Sequence, residues 1–135
     1  MSQAGAIVGS SSQQMVKFVS PTINFTATGN TTLLTNGSSE FVPYAYTFVT
    51  DAVTNFSGDG TFNIGFTAAA YDDYVQSVAF GFDDVNQFSS FLIDEPGAAA
   101  GYPLLQPSTA LVLNITSGVT ADVCTGRCIV FGFTV

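Results

Sequence analysis

Carboxylates are the main side chains here that could do chemistry. Asp72-Asp73, Asp83-Asp84 and Asp94-Glu95 form acidic pairs, histidine is absent, and Lys17 and Arg127 are the only cations. Without His, Ser-His and Cys-His nucleophile systems are excluded and the commonest metal ligand is missing. A zinc site would have to combine two cysteines with carboxylates, and a lysine mechanism would rest on Lys17 alone. Two carboxyls held about 5 to 9 Å apart suffice for glycoside hydrolysis. Neighbours along a strand point to opposite faces, however, so one pair fills both roles only within a turn. Trp is absent, leaving Tyr71, Tyr74 and Tyr102 as weaker platforms for a sugar. The pairs are therefore read as loop carboxylates that solvate an apolar chain, and no catalytic residue is assigned. Loop carboxylates also suit calcium, but there is no D-x-D-x-D-G loop, so neither metal nor cofactor is expected. Ser57-Gly58-Asp59-Gly60 has neither the Lys nor the following helix of a phosphate-binding loop, and Gly58, Gly60 and Gly65 make no dinucleotide fingerprint. It reads as a hairpin turn.

Cys124-Thr125-Gly126-Arg127-Cys128 places Gly in a short link between two β runs. That spacing fits a hairpin whose ends come within disulfide range; two buried thiols are the other reading. No redox C-x-x-C or four-ligand zinc motif is present. Asn-x-Ser/Thr patterns begin at Asn24, Asn30, Asn36, Asn55 and Asn114. Alternation of Asn and Thr along the polar side of strands generates such patterns, and Met1 to Met15 lacks the basic start and apolar middle of an export signal, which argues against glycosylation.

The elements that must position these residues are strands. Ile23 and Phe25 alternate with Asn24 and Thr26, Phe62, Ile64 and Phe66 with Thr61, Asn63 and Gly65, and Leu111, Leu113 and Ile115 follow the same period. At the C-terminus Ile129, Phe131, Phe133 and Val135 fall on one face, and Val130, Gly132 and Thr134 on the other. Glu40 to Asp51 and Tyr74 to Phe82 keep the same character, with Pro43 marking an edge, a bulge or a bend. Turn residues gather at Gly29-Asn30, Asn36-Gly37, Asp83-Asp84 and Glu95-Pro96-Gly97, and the Gly-bracketed Ala98 to Ala100 reads as a loop. No stretch sustains a helical period. The expectation is a single all-β domain over 16–135: a two-sheet antiparallel β-sandwich, jelly-roll-like, of about eight strands. Residues 1–15, rich in Gly, Ala, Ser and Gln, read as a flexible N-terminal arm that orders on a neighbouring subunit or stays a disordered terminus.

Composition narrows the function. Of 135 residues 9% are charged and 47% apolar, with 13 Phe, so part of the exterior is expected to be covered by copies of the chain or by another protein. Ten acidic residues against two basic ones, a net charge of −8, oppose binding to nucleic acid or to an anionic membrane. No apolar run approaches the roughly 20 residues of a membrane span. The chain thus reads as a module that binds or builds and is not an enzyme. Contacts are expected from the Met1 to Phe18 arm, Phe18 included, and from aromatics near Tyr44, Tyr46, Tyr71 and Tyr74.

Phe41-Val42-Pro43, Gly60-Thr61-Phe62-Asn63-Ile64-Gly65-Phe66, Ala70-Tyr71-Asp72-Asp73-Tyr74-Val75 and Val130-Phe131-Gly132-Phe133-Thr134-Val135 together span about two-thirds of the chain in loose form. They resemble the F-[IV]-P, P-T-I-S-I-G-T, N-Y-D-N-[IV] and V-x-G-F-x-V runs of small capsid decoration, or cement, proteins of tailed bacteriophages. That family pattern carries Thr and Arg after F-[IV]-P, whereas this chain has Tyr44 and Ala45. The resemblance implies a virion protein made in the host cytoplasm and placed on the capsid surface. It would be a homotrimer bracing the major capsid protein. A carbohydrate- or receptor-binding virion domain, at a tail-fibre tip or as a capsid-surface adhesin, fits the same fold.

Overall fold

A computed structural model of the chain describes residues 14–82, 88–92 and 104–135, with the backbone alone at 14 and 88–92. The expected arm before residue 14, Asp83-Asp84, Asp94-Glu95, the Ala98 to Ala100 loop and Tyr102 lie outside the described residues. Every regular element among those described is a strand: β1 Gln14–Val19, β2 Ile23–Asn24, β3 Gly29–Thr35, β4 Phe41–Thr54, β5 Gly60–Gly65, β6 Val75–Phe80, β7 Phe88–Leu92, β8 Ala110–Ser117 and β9 Val123–Thr134. Apart from the two-residue β2 these are the expected eight.

One sheet runs β1-β9-β4-β7, with β2 also on β9, and the other β3-β8-β5-β6; all pairings are antiparallel. The partners nest, with β1 on β9, β3 on β8, β4 on β7 and β5 on β6. A long paired ribbon rolled on itself gives this order, and the chain is a jelly-roll-like β-sandwich. Pro43 sits at a bulge, where the β4–β9 register shifts between Pro43 and Ala45. That lets a residue without an N–H occupy a central strand.

The nesting corrects one expectation. Ser57-Gly58-Asp59-Gly60 does not turn a hairpin, because β4 and β5 belong to opposite sheets and the segment arches between them. It is held by the Gly58 carbonyl accepting from Thr120 N–H at 2.9 Å and by Ser57 N–H donating to the Thr120 carbonyl at 2.8 Å.

Between the sheets lies an aromatic core. Phe48 from β4 meets Phe62 from β5 edge to face at 5.1 Å; Phe62 meets Phe80 at 5.3 Å, and Phe25 meets Phe48 at 5.4 Å. T-shaped contacts of this kind add about 0.5–1.5 kcal/mol each beyond the area they bury. Leu111, Leu113 and Ile115 of β8 complete the layer, all buried. Much of the Phe content is thus spent inside.

Candidate interaction surface

The inner face of β9 carries Cys124, Gly126, Cys128, Val130 and Gly132, all buried, so Ile129, Phe131 and Phe133 point outward. Across this outer face the register sets rows: Met15 opposite Phe133 and Val42, Lys17 opposite Phe131 and Ala45, Val19 opposite Ile129 and Thr47, and Arg127 opposite Val49. The exposed large hydrophobics of the described residues are Met15, Val19, Val123, Phe133 and Val135, all on β1, on β9 or directly after it. Tyr44 leans over the same rows, its ring 5.2 Å from that of Phe133. Both cations of the chain stand here as well, exposed and joined to no carboxylate among the described residues. Asp51 sits at the rim, accepting from the Thr125 hydroxyl at 2.6 Å.

The opposite outer face differs in kind. Asn30 faces Asn114 across β3 and β8, and Asn63 faces Asn114 across β5 and β8. The Thr61 and Thr116 hydroxyls share a hydrogen bond of 2.7 Å, and Asn63 and Asn114 both donate to the Ala70 carbonyl at 3.0 Å. The strands of this sheet carry no charged residue, and the polar groups of its outer face are largely satisfied within the chain.

The expected contact residues separate. Tyr44 lies on the apolar outer face. Phe18 is half-buried, edge-on to Phe41 at 5.5 Å. Tyr71 is half-buried in the loop before β6 with φ of +50°. Tyr46 and Tyr74 are not surface residues: at 1% and 0% exposure they belong to the core, Tyr46 against Phe48 and Phe62 and Tyr74 against Phe66. Tyr46 lies where the strand period of β4 turns it inward, and Tyr74 lies in the buried bend before β6; composition could reveal neither. Met15, within the segment expected to make contacts, is exposed on β1, and Phe133 and Val19, which were not expected as contacts, are exposed beside it; their signal was an apolar set on a strand whose other parity is small enough to be packed inside.

The disulfide reading of Cys124 and Cys128 is also corrected. β9 passes straight through both, and both thiols are free and buried on one face. Residues four apart on one strand are separated by about 13 Å, against Cα separations of about 4.4–6.8 Å in a disulfide. Burial, reinforced by nearby Asp51, pushes the Cys124 thiol up to about 11. Burial alone pushes Cys128 up further.

Of the acidic pairs, Asp72-Asp73 is described, and its two carboxylates part company. Asp73 is buried, and its Oδ2 accepts from the N–H groups of Phe66 and Thr67, each at 2.7 Å, clamping the loop after β5. Asp72 accepts from Gln76 Nε2 at 3.2 Å on the outside. Asp73 is therefore a structural clamp rather than a solvating charge, and the pair does not converge on a shared site. Among the described residues no group of three or more His, Cys, Asp or Glu side chains is placed to hold a metal ion.

Fold and surface together define a class: an antiparallel two-sheet jelly-roll-like sandwich with one outer face apolar and cationic and the other polar and neutral. Solved structures share that fold. One is a chain of the cyanophage Pam1 capsid asymmetric unit, at 14% identity and a TM-score of 0.56, covering 90% of this chain and 86% of that one. Another belongs to the acidic stable capsid structure of Helicobacter pylori bacteriophage KHP30, at 12% identity and a TM-score of 0.54, covering 90% of this chain and 92% of the other. No protein-family model matches the sequence, and no curated protein matches it.

Proposed function

We propose that the chain is a structural virion protein that decorates a phage capsid and stabilises it through protein–protein interfaces. The carrying observation is the outer face of β1, β9 and β4, where the exposed large hydrophobics of the described residues and both cations are collected. Interfaces draw their energy from desolvated aromatic anchors ringed by polar groups, and Phe133 with Tyr44 offers such an anchor. The fold shared with chains of two phage capsid structures supports the same role. In this reading the protein is made in the host cytoplasm, sits on the capsid surface as a homotrimer over the major capsid protein, and engages neither nucleic acid nor membrane. It needs no cofactor and performs no catalysis.

The test is addition of the purified chain to heads of the encoding phage that lack it. The chain should co-sediment with heads and raise the temperature at which they release DNA. A chain that stays in the supernatant, or that binds glycans or host cells and not heads, overturns the decoration role.

A further inference from the structure

We infer that the outer face of β1, β9 and β4 is the seat of a second copy of this chain, joined head to tail. The apolar, cationic face of one copy packs on a carboxylate-bearing surface elsewhere on the next. This deepens the structural reading above by naming the face and the partner.

Charge placement supplies the argument. The chain has ten acidic residues and two basic ones, and both basic ones, Lys17 and Arg127, lie on this face. Any other surface of a second copy therefore offers carboxylates or neutral groups and no cation. Cations without a carboxylate partner among the described residues, set in rows with Phe131, Phe133, Met15 and Val19, are matched by an acidic partner that also covers apolar area. A symmetric face-to-face pair would instead bring Lys17 and Arg127 of both copies into one interface, with Asp51 the described carboxylate at its rim. Like charges there oppose association. A head-to-tail contact is heterologous, and heterologous contacts that close make rings of three or more copies.

The closing experiment uses the full chain in isolation, by sedimentation velocity and native mass spectrometry from about 1 to about 100 μM, a range that brackets micromolar dissociation constants. The expected result is a closed oligomer of three or more copies. Lys17→Glu and Phe133→Glu should each raise its dissociation constant by at least about tenfold, with Phe133→Leu near the parent. Lys17 is exposed, so its variant carries the test even where Phe133→Glu fails to fold, as thermal melting of each variant reports. A monomer throughout, a two-fold dimer, or an oligomer untouched by a folded Lys17→Glu variant overturns the inference. Because no heads are present, failure here is distinct from failure to bind heads.

Discussion

At the scale of single residues, the buried polar and thiol groups decide what the molecule tolerates. Asn36 is buried, and its amide donates to the carbonyls of Ser39, Leu105 and Gln106 at 2.6, 3.0 and 3.2 Å, while its Oδ1 accepts from Gly37 N–H. It ties the segment before β8 to the β3–β4 connection, so Asn36→Ala should lose about 1–3 kcal/mol in urea unfolding, the cost of losing these hydrogen bonds at a buried position. Its place inside also removes it as a glycan acceptor. The thiols set a pH limit. In the folded chain Cys124 titrates near 11 and Cys128 higher, against an ordinary value of 9.0. The folded state therefore holds these protons more tightly than the unfolded state does. The stability tied to them is complete below about pH 9 and is lost as pH rises from there through 11. Unfolding by urea at pH 8 and at pH 10.5 should show this loss, and a Cys124→Ala, Cys128→Ala double variant should show less of it. At neutral pH neither thiol should react with a thiol reagent until the chain unfolds.

At the scale of elements, β9 shows where the sequence is legible and where it stops. Alternation separates Ile129, Phe131 and Phe133 from Val130 and Gly132, but period two does not say which set faces the core. The more apolar set lies outside. The reason is proximity: a Cβ added at Gly132 would collide with the Phe41 ring and the Val42 carbonyl, and one at Gly126 with the Val49 carbonyl. Gly132 and Gly126 pair with Pro43 and Thr50 at the two bulges of β4, its neighbour in the sheet, and there the β4 backbone leaves room for glycine alone on the inner side of β9. Gly132→Val should therefore destabilise by about 1–3 kcal/mol or prevent folding, although the change adds apolar area, and thermal melting checks it. The strands of the opposite sheet were easier to read, because Phe62, Ile64, Leu111, Leu113 and Ile115 are large and point inward. Connections were harder. Gly and Asp near residue 58 announce a change of direction, but a hairpin within one sheet and an arch between sheets call for the same residue types. Which of them forms depends on nested pairing across the whole chain. The candidate surface was legible only as an excess of apolar composition; its location depended on the parity that small residues at Gly126 and Gly132 impose.

At the scale of the whole molecule, the sandwich is divided between a face that needs a partner and a face that does not. Thr61 and Thr116 satisfy one another, Asn63 and Asn114 share the Ala70 carbonyl, and Asn63 also accepts from Ser77 N–H at 2.8 Å. Such internal pairing leaves the polar face little to gain from a second surface. Thr32, exposed on β3 of that sheet, is then a site where a charge costs little. Thr32→Lys should change unfolding free energy by less than about 0.5 kcal/mol, the usual range for surface substitutions away from special features. It should leave self-association and retention on heads unchanged, whereas Lys17→Glu on the other face weakens self-association. Thr32→Lys adds a positive charge on one side of the domain and Lys17→Glu replaces a positive charge with a negative one on the other, so measuring both on the same preparations separates a directed surface from a general response to net charge. If Thr32→Lys, which makes the net charge of −8 less negative, strengthened assembly in step with its weakening by Lys17→Glu, which makes it more negative, the division into two faces would be wrong and net charge would itself govern association.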